Sequence, residues 1–379
     1  MHRRSDRLNA HTVAFMRPPA GRAIWAIIGL LALIGVLVVL APRLRPRRDA
    51  RLAFSYTTFN ARFWRGDCNC PAPVVMGTTL VFCGGSNWKN EERLIAVDLR
   101  TSKELWRRGQ PNGCGMLRVI DDVLYHWDGR ALSAFSAAGA LLWRRADVYG
   151  LPFVTDGRLY LSASATPTLM VLDPEDWSLL EEIPLPDRPD RTPIADGPIL
   201  RYGTRSGYLV SLDLTDRKVT LLRPATRILS PLVQQGALLV FNAEVDDGFA
   251  LIGYDLQRSA VRWSVNTHTL SQATPLIDGE WVYFGADRLY AVRLTDGDTR
   301  SYDLGGGPVG SAVRYGDVLY VPGGNSLHAL DPATGEVHWR FDAGKWVNAP
   351  STIGPPPIVN DVVYVGSLDC RVYGVRTGR

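Results

Sequence analysis

A four-residue pattern recurs eight times in this chain, and its spacing restricts the fold more than any other feature. It reads Leu94–Val97, Leu132–Phe135, Leu169–Leu172, Leu209–Leu212, Leu251–Tyr254, Leu289–Val292, Leu327–Leu330 and Val372–Val375. The last positions are 38, 37, 40, 42, 38, 38 and 45 residues apart. Strand-like repeats of about 40 residues point to propeller blades. The first and last positions of each copy are large and apolar. The third is Ala96, Ala134, Val171, Ser211, Gly253, Ala291, Ala329 and Gly374. Small residues there allow close approach of stacked sheets. A strand buried on both faces is apolar throughout, as these are.

Each copy follows a second apolar run, such as Val123–Tyr125, Val318–Val321 or Val362–Val365. Before that run comes a turn signal: Asp121-Asp122, Asp156-Gly157, Asp196-Gly197, Asp278-Gly279, Gly316-Asp317 or Asn360-Asp361. These residue types tolerate the positive φ of tight hairpins. After each copy comes another turn and a fourth strand ending on a large residue, tryptophan at Trp106, Trp143, Trp263 and Trp339. The expectation is an all-β, eight-bladed propeller over residues 52–379, four antiparallel strands to a blade. The chain stops after the third strand of the eighth unit. Residues 52–66 are therefore expected to complete the last blade, with Phe59–Trp64 as the missing fourth strand and Trp64 in the tryptophan position. Closing the ring in this way leaves no open edge between the first and last blades.

The N-terminal region is of another kind. Residues 1–22 form a basic tail, 23–41 (AIWAIIGLLALIGVLVVLA) an uncharged apolar run, and 42–51 an arginine- and proline-rich linker. Nineteen residues at 1.5 Å rise match the bilayer core, so the run reads as a transmembrane helix in contact with membrane lipid. The run exceeds a signal-peptide core and lacks a small-residue cleavage site, which favours an uncleaved signal-anchor. Five arginines precede it (Arg3, Arg4, Arg7, Arg17, Arg22) and five follow (Arg43, Arg45, Arg47, Arg48, Arg51). The positive-inside rule therefore assigns no orientation. The net charge of +4 follows from this arginine-dense region. The balanced remainder, without basic runs interleaved with stacking aromatics, argues against nucleic acid.

Ala329-Leu-Asp331-Pro-Ala-Thr334-Gly335-Glu-Val-His-Trp339 resembles the tryptophan-docking repeat of the quinoprotein (PQQ-like) propellers, and Ala96 to Trp106 is a looser copy. Other units keep parts of it, with Leu180, Leu221 and Tyr302 near the tryptophan position. The resemblance implies one of two branches. One is similar to BamB-like outer-membrane assembly factors, non-catalytic scaffolds for other proteins. The other comprises quinoprotein dehydrogenases that hold pyrroloquinoline quinone (PQQ) and calcium in the central channel. The blades here are lean, whereas the dehydrogenases resemble longer chains with embellished loops. The expected function is a membrane-anchored, non-enzymatic scaffold with a protein partner on one face and no cofactor, the propeller lying outside the cytoplasm of a bacterial-type inner membrane. A PQQ-dependent oxidoreductase is the alternative. The assembly factors resemble lipoproteins, from which an apolar anchor departs.

No nucleophile elbow, P-loop or paired-carboxylate motif occurs, so no catalytic residue and no cofactor-binding residue is assigned. Trp64, Trp106, Trp143, Trp263 and Trp339 are expected to pack structurally between blades rather than to stack on a quinone. Cys68, Cys70, Cys83, Cys114 and Cys370 are placed on one face near the closure. Three readings stay open for them: disulfides, for example Cys83 with Cys114 and Cys370 with Cys68 or Cys70; a thiolate zinc site; or inert thiols. Asn242, Glu244, Asp246 and Asp247 read as a solvated hairpin tip rather than a calcium loop. His126, His268, His328 and His338 have no ligand spacing. Gly305–Pro308 reads as a connection between blades, since no helix follows it to bind phosphate.

Overall fold

The computed structural model describes residues 50–58, 72–84, 93–110, 114–343 and 354–378. The apolar run 23–41 lies outside them, as do Trp64, Cys68 and Cys70. No helix among the described residues is long and apolar enough to cross a membrane. Every regular element described is a β-strand.

The strands form eight antiparallel sheets, numbered here as blades 1 to 8 along the chain. Blade 1 runs Val74–Met76, Thr79–Gly84, Arg93–Asp98 and Glu104–Gly109, and the others repeat that order, except that blade 5 has a fifth short strand, with Arg227–Ile228 and Val233–Gln235 both paired to Leu238–Val245. The recurring motif is the third strand of each blade, from Arg93–Asp98 in blade 1 to Arg371–Arg376 in blade 8. Leu94, Ile95, Ala96 and Val97 are all fully buried, because sheets cover both faces. Turns between first and second strands use the expected residues: Asp121 and Asp122 sit at φ 47° and 57°, Asn360 and Asp361 at 49° and 59°. Paired positive φ values give the hairpin a twist matching its strands.

Eight apolar clusters occupy the joints, one between each pair of neighbouring blades. At blades 3 and 4, Tyr160, Leu169 and Val171 meet Leu200, Tyr202 and Val210. The last cluster joins the ends of the repeat, with Leu80, Phe82, Ile95 and Val97 of blade 1 against Tyr364 and Val372 of blade 8.

The closing strand is not where the tryptophan pattern puts it. Leu52–Thr57 pairs antiparallel with Arg371–Arg376 and is the fourth strand of blade 8. Leu52–Thr57 lies within the expected span 52–66 but takes the fourth-strand place assigned to Phe59–Trp64, which lies outside the described residues. The register supplies the reason. Ala96 faces Trp106, Ala134 faces Trp143, Gly253 faces Trp263 and Ala329 faces Trp339, each with a register shift immediately beyond. In blade 8 Gly374 faces Phe54, with the same shift between Leu52 and Phe54. Phenylalanine therefore stands where four of the other fourth strands carry tryptophan.

Three further blades depart from the pattern. The residues facing the third position are Glu181, Thr220 and Arg300, not Leu180, Leu221 or Tyr302. The acidic hairpin of blade 5 is also shorter than expected. Strands Leu238–Val245 and Gly248–Asp255 reduce its tip to Asp246 and Asp247. Asn242 is fully buried and donates to Thr267 Oγ1 at 3.1 Å.

Candidate functional site: the channel mouth and the blade joints

The joints decide which surfaces remain free. Trp106 Nε1 donates to Ala137 O of blade 2 at 2.9 Å, and its ring lies against Gly139. Gly139 has φ 76°, and a Cβ there would come within 2.5 Å of the indole. Trp263 repeats the arrangement with Leu294 O at 2.9 Å and Gly297 of blade 6. Trp143 stacks instead on Trp177 of blade 3, centroids 6.3 Å apart. Trp339 packs against Tyr320 at 5.8 Å, with the Arg51 guanidinium 4.8 Å from its ring centroid. These four tryptophans thus lie in the outer strands, and none lines the central cavity.

Blades without tryptophan use other chemistry at the same place. Arg217, in the turn of blade 4, makes bonds of 2.7 and 2.8 Å to the two carboxylate oxygens of Glu181 in blade 3. Arg300 of blade 6 donates to Ala333 O of blade 7 at 2.8 Å, and Tyr302 covers Gly335. Between blades 8 and 1, Tyr56 donates to Glu104, and Arg107 reaches the Tyr56 hydroxyl at 3.0 Å.

The first strands and the loops leading into them surround a cavity of about 660 Å³, lined from blades 1 to 6 and 8. This is the mouth of the central channel. Its walls are mostly proline, glycine and aliphatic residues; its charged lining residues are Arg118, Asp190 and Arg191. Asp190 is buried and organises the charges. It accepts Arg205 Nε at 2.6 Å and Tyr149 OH at 3.3 Å, and pairs with Arg191 at 3.2 Å. Arg191 also donates from Nε to Leu229 O at 3.0 Å, tying the loop before blade 4 to the loop of blade 5. Arg188 lies 4.6 Å over the Tyr149 ring, whose other neighbour is Trp127 at 5.4 Å. Burial lowers the pKa of Arg191, whereas the bond to Asp190 raises that of Arg205. No spacing signal in the sequence marks this cluster, because its members come from different blades.

Cys83, Cys114 and Cys370 sit on the same side of the ring as that mouth. Cys83, ending the second strand of blade 1, is joined to Cys114 at the start of blade 2, with Cα atoms 5.4 Å apart. Cys114 also lines the cavity. Cys370 is disulfide-bonded to a partner outside the described residues. The Cys83–Cys114 bridge closes a 31-residue separation, for which the chain-entropy model gives roughly 3–4 kcal/mol of stability. A Cys83→Ser/Cys114→Ser protein is expected to lose that amount in urea melts.

No group of three or more His, Cys, Asp or Glu side chains lies close enough to hold a metal among the described residues. His126 is buried on the second strand of blade 2 with neither ring nitrogen hydrogen-bonded. Burial lowers its pKa to about 4, opposed by Asp128 and reinforced by Arg144. The unfolded chain therefore takes up a proton between pH 6.5 and 4 that the folded chain refuses. Stability should fall as pH drops through that window, by about 3 kcal/mol in all. Urea melts of His126→Leu at pH 7 and pH 4.5 should show a smaller loss than the parent.

The chain matches the family model described as outer membrane protein assembly factor BamB over residues 90–302 and 300–379. No curated protein sequence matches it. Among solved structures, BamB from Moraxella catarrhalis is similar, with a TM-score of 0.61 and 14% identity, covering 86% of this chain and 97% of that one. The computationally designed Ika8 protein is similar with a TM-score of 0.61 and 14% identity, covering 83% and 97%. Eight closed sheets, the tryptophan joints and a family match running from blade 1 to the C-terminus agree: this chain belongs to the BamB family of quinoprotein-like propellers.

Proposed function

We propose that the chain is a membrane-anchored, non-enzymatic scaffold that holds a protein partner at the channel mouth, with the propeller outside the cytoplasm. The observation that carries this reading is the division of labour in the ring. Apolar clusters and the side chains of the outer strands make the joints, while the mouth keeps an open cavity of about 660 Å³ walled mostly by proline, glycine and aliphatic residues, with Arg118, Asp190 and Arg191 as its charges. Residues 23–41 supply the anchor in this account, and the Cys83–Cys114 disulfide suits an oxidising compartment. The relative from Moraxella catarrhalis carries the name BamB, and assembly of outer-membrane proteins is what the family description states.

The quinoprotein alternative asks for a platform for a planar quinone and oxygen ligands for calcium. Calcium takes six to eight oxygens. Asp190 is the sole carboxylate lining the mouth among the described residues, and Arg191, Arg205 and Tyr149 already engage it. Tyr149 is the sole lining aromatic among the described residues, with Arg188 over its ring. The described side chains at the mouth do not fit the group. Titrating the protein with PQQ and calcium, read by tryptophan fluorescence and dye-linked alcohol or sugar oxidation, should show neither saturable binding nor turnover. Saturable binding with turnover would make this chain an oxidoreductase.

A further inference from the structure

Among the described residues beside the channel mouth, guanidinium groups outnumber the carboxylates that pair with them. Arg188 and Arg191 come from the loop into blade 4, Arg205 from the hairpin of blade 4, and Arg227 from the short strand Arg227–Ile228 at the edge of blade 5. Asp190 is the one carboxylate paired with any of them, and it serves both Arg191 and Arg205. Arg188 and Arg227 have no carboxylate within ion-pair distance among the described residues. The Nε of Arg227 is buried without an acceptor. Arg118, in the cavity wall, spends a donor on Pro152 O at 2.9 Å and also lacks a carboxylate. Guanidinium groups held together in a partly dry site repel one another and leave N–H donors unmatched, a cost that an added anion relieves.

We propose that this mouth, between blades 3 and 5, docks an acidic peptide segment of a protein partner, gripped by Arg188, Arg191, Arg205 and Arg227. The proposal deepens the scaffold reading and rests on it. The charges are carried on consecutive blades rather than drawn around one point, which suits a chain bearing several carboxylates better than one compact anion. A nucleic acid would need free aromatic faces for its bases, and the face of Tyr149 is taken by Arg188. Planar guanidinium forks match carboxylates geometrically, so the cluster selects for the side chains of Asp and Glu. Arg191 and Asp190 are fixed by their own bonds and set the platform. Arg205, whose side chain is 61% exposed, keeps solvent-facing donors beside its bond to Asp190, and Arg188, which donates to Ser164 O at 2.5 Å and lies over Tyr149, presents its remaining donors to the peptide.

The test uses the purified full chain in non-ionic detergent and a fluorescein-labelled hexaglutamate followed by anisotropy. Saturable binding is expected, weakening steeply with salt, with no binding of hexalysine. Arg188→Ala and Arg205→Ala should each weaken it about tenfold, as expected for loss of a charge-assisted contact. Arg205→Lys should fall between the parent and Arg205→Ala, because it keeps the charge and loses the planar fork. Arg262→Ala, on the outer strand of blade 5, should change nothing. Unshifted melting temperatures show that the variants fold. No hexaglutamate binding, an equal loss in Arg262→Ala, or full displacement by equimolar inorganic phosphate would overturn the proposal. A partner captured at the mouth but indifferent to Arg188→Ala and Arg205→Ala would sink the acidic-peptide site and leave the scaffold reading standing.

Discussion

Trp263→Ala should lower the unfolding free energy by about 3–5 kcal/mol, the range for removing a large buried aromatic. Trp263 is 6% exposed and packs with Val282, Phe284 and Tyr290 across the joint between blades 5 and 6. Its indole donates to Leu294 O, and its ring fills the space beside Gly253, where a Cβ would come within 2.2 Å. Alanine leaves a cavity between two sheets that backbone pairing prevents from collapsing. Trp106→Ala should cost less, because that ring is only half-buried. Urea melts of both proteins check the order. Equal losses would mean that the indole-to-carbonyl bond, common to both, decides the joint rather than burial.

Deleting residues 52–57 should have the second large effect. That strand is the outer partner of Arg371–Arg376, and Phe54 packs on Gly374 and Tyr364, centroids 6.1 Å apart in the latter case. Its loss exposes the edge of a buried strand and removes the Tyr56–Glu104–Arg107 link to blade 1. An exposed edge of this kind pairs with other chains. The shortened protein should therefore melt at a lower temperature and aggregate, as light scattering would show. An unchanged melting temperature and a monomeric species would mean that the apolar cluster between blades 8 and 1 closes the ring by itself.

The repeat was legible because third strands are buried on both faces, so each copy had to be apolar with a small residue at one place. The closing strand was misplaced for a related reason. Its docking residue is Phe54, and a search for tryptophan passes over it to Trp64. Glu181 and Arg300 were illegible as joint residues because their meaning lies in the neighbouring blade, in Arg217 and in the carbonyl of Ala333. Leu180, apparently the better apolar match, falls on the bulged position and is half exposed. The acidic segment of blade 5 looked like a loop by composition, yet Asn242 and Glu244 pair within the ladder. The mouth cluster left no linear trace: Tyr149, Asp190, Arg191 and Arg205 span more than fifty residues and meet only through the ring.

Loss of the tryptophan joint in blades 3, 4 and 6 also bears on function. Blades 3 and 4 supply most of the charged mouth, and the ion pair from Glu181 to Arg217 holds them together on the side away from it. The strand Leu209–Asp213 separates the two ends of blade 4. Its hairpin, with Arg205 and Ser206, faces the mouth, while the turn with Thr215 and Arg217 faces the other way.

That geometry provides the most direct test of the scaffold reading. A photo-crosslinking amino acid at exposed Ser206 or at exposed Thr215 places a probe at opposite ends of the same strand in the full chain in its native membrane. The account predicts a discrete adduct with one partner protein from Ser206 and none from Thr215. Adducts from neither position, together with PQQ-dependent turnover by the same protein, would contradict it.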